Sequence, residues 1–154
     1  IFDESPTIEE MIKIHSQFKS SVVALKAVEP EKIPFLGVVE SQEIDKSMHR
    51  INRCVEKPQL ADAPSNLAII GRYIFTNDIF CYISNTPKGA LGEIQITDAI
   101  NAQAVKNSVF GYKFPGEHFD TGNPDGLLQA SIAYAVKDVE KGPRLISFIK
   151  SLNI

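Results

Sequence analysis

Two kinds of apolar spacing alternate along the 154 residues, and together they predict an α/β fold: a mixed sheet flanked by helices. The first observation is helical spacing at the start, where Ile8, Met11, Ile12, His15 and Phe18 recur every three or four residues. The second is that short β-branched runs follow it, beginning with Val22, Val23, Ala24 and Leu25 and returning at 35–40, 51–55 and 67–75. The third is composition: 44% hydrophobic and 23% charged residues, enough to bury one core, so residues 1–154 are expected to form a single domain.

The elements follow in order. Either Ser5-Pro6 or the capping box Thr7-x-x-Glu10 starts a helix from about Pro6 to Lys19, in which His15 is a partly buried helix residue. A buried strand is expected over Ser21 to Val28, then a loop bracketed by Pro30 and Pro34. The next strand is Phe35 to Glu40, where Gly37 removes a side chain at a place suited to a bulge or a ligand. The polar segment Ser41 to Arg50, with His49, reads as an exposed hairpin excursion without chemical role.

From Cys54 to Tyr73 the chain outlines a small-molecule pocket. An apolar run (Ile51, Cys54, Val55) ends in Glu56-Lys57, and Pro58 forbids further pairing. A polar loop with Pro64, Ser65 and Asn66 leads to a strand from Leu67 to Phe75, in which Gly71 suggests close backbone approach. From the residues alone, Glu56 and Lys57 form either a solvated ion pair at a strand end or an acid and a base at a pocket rim. On a regular strand the two would point to opposite faces, so a shared pocket requires an irregular end at Pro58.

Thr76-Asn77-Asp78 announces a helix with Ile79, Phe80 and Ile83 on its buried side. A flexible approach through Gly89, Ala90, Leu91 and Gly92 leads to a helix carrying Ile96, Ala99, Ile100 and Gln103, with Glu93 near its N-terminus, where the dipole favours a carboxylate. Glu93 and Asp98 are open to a structural or a functional reading. Ser108 to Phe114 and Gly116 to Asp120 read as two short strands joined at Pro115-Gly116. Asp120 and the turn Thr121-Gly122-Asn123 precede a helix through Leu127, Leu128, Ile132, Tyr134 and Ala135, so Asp120 has the usual setting of a cap or Asx-turn residue. Lys141-Gly142-Pro143 is expected to end that helix before an apolar C-terminal one, a lid on the core or an oligomer contact.

Four blocks carry a resemblance: 55–58 (Val-Glu-Lys-Pro), 63–73 (Ala-Pro-Ser-Asn-Leu-Ala-Ile-Ile-Gly-Arg-Tyr), 92–100 (Gly-Glu-Ile-Gln-Ile-Thr-Asp-Ala-Ile) and 120–122 (Asp-Thr-Gly). In this order they resemble the bacterial UTP-glucose-1-phosphate uridylyltransferases, and the likeness runs along essentially the whole chain while covering about the C-terminal half of such an enzyme. The family's Gly-rich nucleotide loop has no counterpart here, and Ile1 stands just past the paired aspartates that close the family's N-terminal half.

The resemblance implies the C-terminal part of a Rossmann-like nucleotide-diphospho-sugar transferase sheet. It implies that Glu56 and the Gly37 main chain bind hexose hydroxyls, that Lys57 reaches the sugar phosphate, that Asn66, Gly71 and Glu93 belong to the substrate site, and that Asp120 helps hold Mg²⁺. The types suit those roles, since a carboxylate accepts from neutral hydroxyls and an ammonium is a compact charge for a phosphate. Glucose 1-phosphate, UTP and UDP-glucose are the implied substrates and product. Where the family commonly has a smaller residue, a cysteine and a lysine, this chain has Leu91, Thr121 and Pro124, which loosens any inference about the nucleoside.

A net charge of −3 without long runs argues against a nucleic-acid partner. No apolar run approaches the roughly 20 residues of a membrane span, and no signal segment is visible, so cytoplasm is expected. Cys54 and Cys81 read as buried reduced thiols, and His118 as structural, because three scattered histidines give no ligand spacing. Three readings stay open: a uridylyltransferase represented by its sugar-binding and metal-binding half and inactive alone, a sister enzyme using dTTP or another sugar 1-phosphate, and a non-catalytic sugar-phosphate-binding or assembly remnant. Sheet edges left bare by an absent half would need pairing with that half or a homo-oligomer.

Overall fold

A computed structural model describes residues 6–88 and 92–152. In chain order the elements are α1 (Thr7–Phe18), β1 (Ser21–Ala27), β2 (Gly37–Glu43), β3 (Met48–Glu56), β4 (Leu67–Ile74), α2 (Ile79–Asn85), α3 (Ile96–Lys106), β5 (Val109–Lys113), α4 (Pro124–Lys137) and α5 (Lys141–Ser151), with 3-10 turns at Pro30–Phe35 and Leu60–Asp62. They form two compact units, one within Ser5–Pro115 and one within Gly116–Ile154, each described by itself.

The first unit is a mixed sheet with helices against it, in the expected α/β class. β1 is hydrogen-bonded on both sides, to β4 antiparallel and to β5 parallel, and its first five residues are all buried. A continuous apolar run is what a strand covered on both faces requires. The pairing closes on itself in the order β1-β4-β2-β3-β5, and the β2 to β4 seam has the register pair Val38 with Ala68. Alternation splits β1 between two faces. Val23, Leu25 and Val109 pack with Ile100 of α3, while Val22 is in register with Phe110, whose ring lies 4.6 Å from Phe18 of α1.

Several expectations are corrected. At α1, Pro6 takes the N-cap position and makes no side-chain cap bond, and Thr7 stands in the first helical turn; Ser5 lies outside the described residues. Of the apolar face expected there, Met11 is buried while Ile8 and Ile12 are exposed. β2 starts at Gly37 rather than Phe35, whose side chain is exposed. The segment around His49 belongs to the sheet: Asp45 Oδ1 accepts from Ser47 and Met48 N–H to make a tight turn, and His49 is buried because β2 and β5 flank it at Glu43 and Gly111.

Gly71 has nothing within 4 Å of where a Cβ would stand, so it serves a backbone turn and not a close approach. Its φ is +55°, at a bulge where Val23 pairs with Tyr73 and Leu25 with Ile69. Glycine adopts that conformation without the clash a Cβ brings. α2 is a short helix whose main packing is against α3, so it buries Ile79 and leaves Phe80 and Cys81 exposed. Cys54 is the buried thiol.

In the second unit, the strand expected at Gly116–Asp120 is reduced to an isolated bridge at Glu117. α4 ends at Lys137 with Asp138 as its C-cap, and Lys141-Gly142-Pro143 open α5 instead of closing α4. Asp138 Oδ1 accepts from Glu140 and Lys141 N–H, which turns the chain there.

Candidate active site

β3 ends where the sequence expected it to end, at Glu56, with Pro58 following. The register of the β2-β3 hairpin sets Gly37 opposite Glu56. Gly37 is no bulge, since the irregularity of this pair falls at Glu40 and Ser41. It is a close approach instead: a Cβ at Gly37 would stand 2.9 Å from Thr97 Cγ2 and 3.1 Å from Glu56 Oε2. The bare backbone therefore lets the first turn of α3 settle over the strand ends, where Thr97 Oγ1 donates to Glu56 Oε2 at 3.1 Å. Thr97 is buried and Glu56 half-buried, so the bond is shielded from water on one side.

Tyr73 of β4 completes the surroundings of the carboxylate. Burial pushes its phenol up, and the neighbouring Glu56 and Cys54 push it further in the same direction. Its ring stacks on Phe75 at 5.2 Å and 13°. Burial, with the Glu56 charge adding, pushes the Cys54 thiol up to about 12, so this thiol stays protonated and inert as a nucleophile near neutral pH. Thr97 and Tyr73 were given no role from sequence. Both stand inside the resembling blocks, and that placement was the available signal.

Lys57 follows in the left-handed region, φ +45°, and its N–H donates to Leu36 C=O at 3.1 Å. A lysine there costs about 1 kcal/mol or more relative to ordinary backbone. The left-handed residue makes the strand end irregular at the Glu56-Lys57 pair, where regular alternation stops. Its side chain is exposed.

Asn66, Gly71 and Glu93 have no hydrogen bond to the Glu56 carboxylate. Asn66 is exposed at the start of β4, where its C=O accepts from Val28 N–H at 3.0 Å. Next to it, Ser65 Oγ donates to Val39 C=O at 2.6 Å and accepts from Leu67 N–H at 2.9 Å. Gly71 sits at the β4 bulge, exposed. Glu93 is exposed two residues before Gln95, the N-cap of α3, and not within the first helical turn. Gly89, Ala90 and Leu91 lie outside the described residues.

In the second unit Asp120 is an Asx-turn residue. Its Oδ1 accepts from Gly122 N–H at 3.0 Å and its Oδ2 from Asn123 Nδ2 at 3.1 Å, while Asn123 Oδ1 caps α4 through Gly126 N–H at 2.8 Å. The Gly122 N–H and the Asn123 amide hold the carboxyl below its ordinary value. A carboxylate has about four acceptor positions, so Asp120 keeps capacity for a cation. Among the described residues no group of three or more His, Cys, Asp or Glu is poised to hold a metal ion. A hollow of about 350 Å³ is lined by Lys19, Ser20, Thr76, Asp78, Asn107 and Ser108, and Glu56 is not part of its wall.

Residues 1–137 match the family described as Nucleotidyl transferase. The chain is 47% identical over 124 residues to a UTP--glucose-1-phosphate uridylyltransferase of Pseudomonas aeruginosa, covering 80% of this chain and 44% of that protein. It is 36% identical over 151 residues to UTP--glucose-1-phosphate uridylyltransferase 2 of Staphylococcus saprophyticus, covering 98% and 52%. A crystal structure of UDP-glucose pyrophosphorylase complexed with UDP-glucose superposes with a TM-score of 0.84 at 39% identity, covering 90% of this chain and 53% of that one. The chain thus spans about half the length of the relatives it matches. With the family pattern matched over 1–137, a mixed sheet that superposes on a family member, and a carboxylate held at a strand end beside a bare glycine, the chain belongs to the nucleotidyl transferase family.

Proposed function

We propose that this chain is the sugar-phosphate-binding part of a uridylyltransferase that makes UDP-glucose and pyrophosphate from UTP and glucose 1-phosphate, working in the cytoplasm. The names of its relatives support the activity. The observation that carries the site is the Gly37–Glu56–Thr97 cluster with strained Lys57 next to it.

In this reading a phosphate oxygen of glucose 1-phosphate attacks the α-phosphorus of UTP in line with the departing pyrophosphate. The protein therefore positions two anions and offsets charge, and forms no covalent intermediate. Glu56, turned and steadied by Thr97, accepts from hexose hydroxyls with its remaining lone pairs, while the half-buried peptide at Gly37 offers main-chain contacts. Tyr73 walls the carboxylate from bulk water. Lys57 restrains the attacking phosphate with its ammonium. Asp120 would hold the divalent cation, Mg²⁺, which when bound screens the repulsion between the phosphates. Apolar residues exposed along α4 and α5, among them Leu127, Leu128 and Phe148, suit covering by a partner, either a second copy or the other half of a full-length enzyme.

Titration calorimetry with glucose 1-phosphate tests the reading. Binding by the chain that is lost in Lys57→Ala supports it, and absence of binding by the unmutated chain overturns it. With UTP, glucose 1-phosphate and Mg²⁺, the 154-residue chain alone is expected to show no turnover, because the nucleotide loop of the resembling enzymes has no counterpart in it.

A further inference from the structure

β3 has β2 along one side from end to end, but on its other side β5 reaches only Met48, His49 and Arg50. Past Arg50 that edge, leading to Glu56, has no strand partner among the described residues. Asn101 of α3 stands in for the missing strand: its Oδ1 accepts from Cys54 N–H at 2.5 Å and its Nδ2 donates to Cys54 C=O at 2.8 Å. A carboxamide presents an acceptor and two donor hydrogens in one plane, which matches a peptide edge. Thr97, four residues earlier and so on the same helix face, is the residue that donates to Glu56 Oε2. Two successive turns of α3 thus grip one strand end twice, at the Cys54 peptide and at the Glu56 carboxylate. No other hydrogen bond reaches the Glu56 carboxylate among the described residues.

We infer that Asn101 is a positioning residue for the sugar site, fixing the height of α3 on β3 so that Thr97 turns the Glu56 carboxylate and leaves its free lone pairs for a ligand hydroxyl. This rests on the reading of Glu56 as the hexose acceptor. The far end of α3 is anchored separately, by Gln103 on Thr76 and Asp78 and by Asn107 on Asp78. Those bonds hold the helix to the end of β4 without touching Cys54 or Glu56, so they provide an internal control.

The experiment is a double-mutant cycle read by calorimetric titration of the chain with glucose 1-phosphate. Asn101→Ala is expected to weaken binding on the order of tenfold, as loss of one hydrogen bond to a charged group would. In a Glu56→Ala background the same change should cost less than about twofold, because the group it positions is gone. Asn107→Ala should leave affinity unchanged while lowering thermal stability. Equal losses from Asn101→Ala in both backgrounds, or an equal loss from Asn107→Ala, overturn the inference in favour of a general structural role. If Asn101→Ala does not fold, Asn101→Asp replaces it, keeping the acceptor for Cys54 N–H and losing the donor to its carbonyl; it must pass the same cycle. Absence of binding by the unmutated chain refutes the sugar-site reading and this role with it. Hydrogen exchange at the Cys54 amide then separates the two failures: protection lost in Asn101→Ala shows a clasp that serves only the fold, and unchanged protection shows no clasp at all.

Discussion

Gly37→Ala is the substitution on which the site geometry makes its strongest demand. The added Cβ would stand 2.9 Å from Thr97 Cγ2, a separation real Cβ atoms do not tolerate, and 3.1 Å from Glu56 Oε2. Thr97 is buried in the first turn of α3 and β-branched, so its methyl has little room to swing away. Either α3 lifts or Thr97 turns, and both break its bond to Glu56. Overpacking of this kind costs about 1 to 3 kcal/mol, and the lost hydrogen bond about 1 kcal/mol more. For a chain of this size a 2 kcal/mol loss corresponds to a fall in Tm of roughly 4 to 8 °C. Differential scanning calorimetry measures the stability, and titration with glucose 1-phosphate measures the site, where a loss of about tenfold or more is expected. Thr97→Ser removes the clashing methyl while keeping the hydroxyl, so Gly37→Ala in that background should recover most of both losses. A Gly37→Ala chain as stable as the unmutated one, or a double variant no better than the single, refutes the reasoning.

Lys57→Gly should stabilise the chain by about 1 kcal/mol, because glycine relieves the left-handed strain, yet abolish glucose 1-phosphate binding; urea denaturation and calorimetry check the two halves. Asp45, Asp120 and Asp138 all have carboxyls held below the ordinary 3.8 by hydrogen bonds from backbone N–H groups. Their contribution to stability is therefore full above the ordinary value and is lost as pH falls through the lowered ones, so denaturation midpoints should drop as pH is taken below about 4. Asn123→Ala should bring the Asp120 carboxyl back toward 3.8, as read by carbon NMR of the side chain. Cys81, being exposed, should react with a thiol reagent in the native state, while buried Cys54 should react only on unfolding.

Much of the fold was legible locally. The helix Thr7–Phe18, the buried run at β1 and the stop at Pro58 each depend on residues a few positions apart, so spacing and proline chemistry suffice to read them. The Asx turn at Asp120 was legible for the same reason. The failures have a common cause. Whether Phe80 and Cys81 are covered depends on how much of α2 meets α3, and whether His49 is buried depends on β5 arriving beside it from 60 or so residues away in the chain. The second strand expected at Gly116–Asp120 had the right residue types, but a strand extends only as far as its long-range pairing does, and the described residues show a bridge at Glu117 alone.

The candidate site divides along the same line. Glu56, Lys57 and Gly37 could be singled out from their types, from Pro58 and from the resembling blocks. That Thr97 would be the residue to hold Glu56, 41 positions away, could not. Sequence determined the elements, the acid and base at the end of one strand, and the family pattern, because each is written in short-range spacing. Tertiary structure decided which helix covers that strand end, that a missing side chain at Gly37 admits it, and that Lys57 takes a left-handed turn. Those follow from long-range register and packing, which no local window of residues specifies.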